Sequence, residues 1–186
     1  MNTLYRHIRW FCLQSIITFL LLACGTIEGK RDVVSNSKGD VRDTTVSNDL
    51  AGVARTIVDT VFECATDEGH AVTARIMNSS GEDVLFESME GAKPRSISNT
   101  EKKARAALTF AVATSELGVR AKLEPELAEQ DHFFATRGGV PVFSADGVRL
   151  LGSVGVAGAP GVVDERCARR AIQAVGLAEQ GVSTAP

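Results

Sequence analysis

Residues 131–139 read DHFFATRGG, which sets an imidazole, two phenyl rings and a guanidinium almost side by side, just ahead of a glycine pair. A neutral histidine ligates a metal through either ring nitrogen. Phe133 and Phe134 supply apolar walls, and Arg137 supplies a cation for an acidic group. His132 is therefore the candidate metal ligand. The second histidine of the domain, His70, follows Gly69, which ends a helix, and is read as supporting that helix end. Other chemistry is thin. Glu126 and Glu129 share a face at helical spacing and read as a solvated face. No nucleophile has an obvious neighbouring base, and the paired histidines of catalytic zinc sites are missing. Whether the protein is an enzyme is left open.

The segment that follows, RGGVPVFSADGVRLLGSVGVAG (137–158), reads as two strands around an Asp146-Gly147 turn, repeatedly interrupted by glycine. Glycine inside a strand marks a bulge or a close approach to the backbone. Glycines 138, 139, 152, 155 and 158 would let a flat ligand or a partner subunit's backbone lie on the strands. Alternatively, they permit sheet twist and close helix packing.

The elements that position these residues follow from periodicity. Asn48 or Asp49 caps a helix to about Asp67, with Leu50, Val53, Ala54, Ile57, Val61, Cys64 and Ala65 on one face. HAVTARIM (70–77) and DVLFESM (83–89) alternate as strands around an NSSGE turn. Ser98 and Glu101 form a capping box that predicts a second helix to about Leu117, with an inner face of alanines. EPELAEQ (124–130) forms a helical turn. After the glycine-rich hairpin, APGVVDERCARRAIQAVG (159–176) is the last helix, with Asp164 near its start. Hairpin-linked strands with intervening helices predict an α+β domain: an antiparallel sheet with helices on its faces.

The first and last helices, packed antiparallel on one face, would bring the C-terminal end of one to the N-terminal end of the other. Cys64 and Cys167 occupy those ends and point inward, so they are predicted to form a disulfide, the alternative being two buried thiols.

The 186-residue chain has a net charge of −3, with its basic residues scattered, which argues against a nucleic-acid surface. Residues 1–23 carry Arg6 and Arg9 ahead of an uncharged apolar run too short for a comfortable membrane span. Leu21-Leu22-Ala23-Cys24 resembles the bacterial lipobox, so residues 1–23 are read as a lipoprotein signal peptide and Cys24 as the lipidated residue. Residues 24–47 read as a flexible polar tether, and 181–186 as a disordered tail. The expected location is the bacterial cell envelope: the periplasmic side of the outer membrane in a Gram-negative cell, with the membrane reached only through the lipid.

Three stretches in order carry a family resemblance. MEGAKPRSISNTEKKARAAL, RGGVPVFSADGVRLLGSVGVAG and VVDERCARRAI resemble the corresponding segments of the GlcG/HbpS-like haem-binding and haem-degrading proteins, a family that also includes the C-terminal domain of PduO proteins. The resemblance spans about residues 49–178, within a domain placed at 48–180. It implies a profilin-like fold with a five-stranded antiparallel sheet and helices on both faces, and a tendency to homo-oligomers. It also implies haem or a related tetrapyrrole as cofactor, bound by His132, Arg137, Gly138, Gly139, Glu90, Ser96 and Lys103, with Arg95 an alternative propionate partner. Slow haem degradation would rest on iron and oxygen. The chain departs from the family pattern at Asn78-Ser79-Ser80-Gly81, at Glu90 (in place of Asp) and at Ala157 (in place of Ser). The alternatives are a non-catalytic sensor or accessory module that acts through protein contacts, or a domain that binds another small metabolite.

Overall fold

The computed structural model describes residues 49–182. The signal peptide with its lipobox, Cys24, the whole 24–47 tether and the last four residues lie outside them. Helix α1 (Leu50–Asp67) begins where the Asp49 carboxylate accepts the Ala51 N–H at 3.0 Å. Strands β1 (Thr73–Asn78) and β2 (Asp83–Ser88) form a hairpin. Helices α2 (Arg95–Phe110) and α3 (Thr114–Arg120) and a 3-10 turn (Pro125–Glu129) then lead to the hairpin of β3 (Gly139–Phe143) and β4 (Leu150–Ala157). Helix α4 (Gly161–Ala174) closes the fold.

The sheet is antiparallel, in the order β2-β1-β4-β3. Among the described residues it has four strands rather than the five expected. Past β3, the segment after α4 adds a bridge between Phe143 and Ala178, whose two backbone bonds are 2.8 and 3.2 Å. The strand pleat sorts the side chains. Ala74, Ile76, Val140, Val142, Val154 and Val156 join α1 and α4 in one apolar core, while Thr73 and the backbone at Gly139 and Gly155 meet α2 on the opposite face. Helices thus cover both faces of the sheet, as expected.

The C-terminal end of α1 lies against the first half of α4. There Cys64 and Cys167 form the predicted disulfide, with Cα atoms 5.5 Å apart, and Glu68 pairs with Arg166 beside it.

Two helix boundaries differ from the sequence expectation. Helix α2 starts at Arg95, after Pro94, whose φ of −53° is already helical. Ser98 therefore lies inside the helix, and its hydroxyl donates to the Arg95 carbonyl at 3.3 Å instead of capping. The expected single helix to Leu117 also breaks at Ala111, which adopts a left-handed φ of 52°. The break frees Thr114, whose hydroxyl donates to the Thr136 carbonyl at 2.9 Å and accepts the Gly139 N–H at 3.0 Å. Among the described residues, no helix is long and apolar enough to cross a membrane.

Candidate functional site

The glycines of the β3–β4 hairpin set the height of α2 above the sheet. Gly139 and Gly155 are cross-strand partners. A Cβ on Gly139 would stand 2.2 Å from the Lys103 carbonyl, and one on Gly155 would stand 2.2 Å from the Thr100 carbonyl. Helix α2 therefore lies with its own backbone on the strands, which explains why its inner face is built from Ala104 and Ala107. Gly152 is closed in by the Met77 carbonyl and Leu50, and Gly158 by the Ala71 carbonyl. Of the two roles open to these glycines, close packing within the chain is the one the structure displays.

This low seat delivers Lys103 to the interior. Its ammonium donates to the Val156 carbonyl at 2.7 Å and to Asp164 Oδ2 at 2.8 Å, while Asp164 Oδ1 accepts the Ala159 N–H at 3.1 Å. Both side chains are almost fully buried, at 3% and 2% exposure. Gly138, with φ of +117°, leaves the room: a Cβ there would sit 2.8 Å from the Lys103 nitrogen. Burial holds Lys103 below the usual lysine range, against the attraction of Asp164. Burial likewise holds Asp164 above the usual carboxylate range, against the opposing pull of Lys103.

Two cavities flank α2. The larger, about 520 Å³, is lined by Ser98, Glu101, Lys102 and Arg105 of α2 and by His132, Phe133 and Phe134 of the opposing loop. Phe133 stands edge-on to Phe110, with centroids 6.2 Å apart, and the Lys102 ammonium lies 5.8 Å above the Phe134 ring. His132 is exposed and holds a left-handed φ of 64°, a conformation uncommon outside glycine and often retained at functional positions. The smaller cavity, about 180 Å³, lies over the Lys103–Asp164 pair and includes Lys93, Arg95, Ser96 and Asn99.

The structure therefore divides the residues that the sequence placed together. His132 and the two phenylalanines share one cleft. Lys103 and Ser96 belong to the other, where the Ser96 hydroxyl lies 2.6 Å from that of Thr73 and donates to the Lys93 carbonyl. Arg137 turns away to a third groove, beside Val162, Arg166, Arg169 and Arg170 of α4. Glu90 is exposed in the turn after β2 and lines neither cavity beside α2. His70 is half-buried after α1. Among the described residues, no group of three or more His, Cys, Asp or Glu side chains is placed to hold a bare metal ion.

Comparison with known proteins assigns this arrangement to a family. The family model described as "Haem degrading protein HbpS-like" matches residues 51–173. The chain belongs to the HbpS-like family. A solved HbpS structure is 31% identical, with a TM-score of 0.61, covering 67% of this chain and 87% of that one. Two further structures share the fold. A PduOC–haem complex has a TM-score of 0.62 at 23% identity, covering 69% of this chain and 96% of the other. A double mutant of Streptomyces reticuli HbpS has a TM-score of 0.62 at 24% identity, covering 83% and 99%. No curated protein matches the sequence.

For this HbpS-like chain, sequence reasoning missed two features: the partnership of Lys103 with Asp164, and the place of Lys102 and Arg105 beside His132. An Asp at a helix start signals a favourable dipole position. It carries no sign that a lysine 61 residues earlier will reach it. Lys102 and Arg105 had a signal: they lie three apart on α2, as neighbours on one helical face do.

Proposed function

We propose that the chain binds haem or a related tetrapyrrole in the cleft between α2 and the 132–134 loop, with His132 as the iron ligand. The observation that carries this reading is the cleft's lining: one imidazole, two phenyl rings and two cations around about 520 Å³, the size and composition of a small-molecule site. The donor set fits the group. His132 would supply the iron-binding nitrogen, Phe133 and Phe134 would shield the ring from water, and Lys102 and Arg105 would meet the propionates in place of Arg137. Arg105 is already steadied by Glu101, at 3.1 Å. Bound haem would supply the redox chemistry for slow turnover. The exposure of His132 leaves room for a second copy to complete the cleft, which supports a homo-oligomer.

The proposed setting is the cell envelope, with the domain tethered through lipid on Cys24. The Cys64–Cys167 disulfide supports an oxidising compartment. Metabolic labelling with a palmitate analogue is expected to mark the wild type and not Cys24→Ala; equal labelling would remove the anchor.

Haemin titration of the purified protein tests the binding. A saturable Soret shift at one haem per chain, or one per pair of chains, is expected, and His132→Ala should weaken it by at least about tenfold. An unchanged spectrum in that variant would remove His132 as ligand. A featureless titration of the wild type would overturn haem binding and favour a module that works through protein contacts.

A further inference from the structure

The smaller cavity has its own chemistry. It opens between the first turns of α2 and α4, and its polar lining includes Lys93, Arg95, Asn99, Thr136 and the Lys103–Asp164 pair. Lys103 and Asp164 neutralise one another. Lys93 and Arg95 are exposed and form no ion pair among the described residues, so the cavity retains two uncompensated positive charges. The buried Lys103 commits two of its three N–H groups to Val156 and Asp164. The third has no acceptor among the described residues, on a side chain that itself lines the cavity. Both adjoining helices start after a proline that offers no side-chain cap, which places two positive dipole ends at the rim.

We propose that this cavity binds the carboxylate of a small organic acid, at a site separate from the His132 cleft. The planar fork of Arg95 and the amide of Asn99 suit a planar carboxylate. The backbone and methyl groups of Ala157, Gly158 and Ala159 give a short carbon chain an uncharged wall. At about 180 Å³, the space accepts a few heavy atoms and excludes a tetrapyrrole or a nucleotide.

Isothermal titration of the purified protein with acetate, pyruvate and succinate, beside inorganic phosphate, tests this. At least one of the three acids should bind saturably and in preference to phosphate. The double variant Lys93→Gln/Arg95→Gln should weaken it by about tenfold or more, as expected for lost charge-assisted bonds, with the melting temperature and the haemin titration unchanged. The proposal is overturned if none of the acids saturates, if phosphate is preferred, or if the variant binds as well as wild type. It is also overturned if the variant loses haemin to the same degree, because the cavity would then be part of the haem site. A featureless haemin titration with saturable acid binding would overturn the tetrapyrrole reading alone.

Discussion

Asp164→Ala is expected to destabilise the domain by about 3–5 kcal/mol, the usual consequence of leaving one member of a buried ion pair without its partner. Lys103 would retain only the Val156 carbonyl, inside a site where it is 3% exposed, and the Ala159 N–H would lose its acceptor. Asp164 and, more remotely, Glu165 attract the lysine, while the cations Lys93 and Arg95 line the same cavity. The pH dependence follows in sign. The folded pKa of Lys103 is below its unfolded value of 10.5. Between the two values the unfolded chain holds more protons, so stability rises with pH across that interval. Removing Asp164 deepens the depression and widens the interval. The variant should therefore recover part of its deficit as pH climbs toward 10.5, relative to wild type. Denaturant titration at neutral and alkaline pH measures both effects. Lys103→Met/Asp164→Leu, which removes both charges, should lose less than Asp164→Ala at neutral pH. Equal losses would show that packing volume, not the orphaned charge, sets the cost.

Loss of the Cys64–Cys167 disulfide should have the other large effect. The bond joins residues 103 apart, and cross-linking a loop of that length restricts the unfolded chain by about 4–5 kcal/mol in the chain-entropy model. The expected outcome for Cys64→Ala/Cys167→Ala is a loss of about 2–5 kcal/mol, read as a fall in Tm of roughly 10 °C. Wild type in reductant should fall similarly. Both cysteines are buried in the core that α1 and α4 share with the sheet, so alanine also removes packed sulfur. Comparing the double variant with reduced wild type separates the two contributions. If oxidised and reduced wild type unfold together, the cross-link contributes nothing to stability.

Much of the fold was legible from local pattern. The three-four spacing from Leu50 to Ala65, the alternation in 73–77 and the turn at Asp146-Gly147 each reflect a face that must be buried, and such faces are written in neighbouring residues. The disulfide was legible for the same reason, because both cysteines sit on apolar faces of helices that the element order packs together, although Cys167 lies midway along α4 rather than at its start. The family was legible from three stretches in sequence order.

What tertiary structure alone decided concerns contacts between residues far apart in the chain. How closely α2 approaches the hairpin glycines depends on packing between distant segments: the carbonyls of Thr100 and Lys103 lie 2.2 Å from where a Cβ would stand at Gly155 and Gly139. That approach in turn sent Lys103 inward to Asp164, while Arg137, only five residues beyond His132, faces α4. Among the described residues the sheet has four strands because the segment after α4 adds a single bridge, Ala178 to Phe143, rather than a full strand beside β3. The sequence by itself determined which faces are apolar, where the elements fall and which cysteines can meet. Tertiary structure decided where the charged side chains lie, because a long lysine or arginine reaches whichever acceptor the packed backbone leaves within range, and periodicity holds no record of that acceptor.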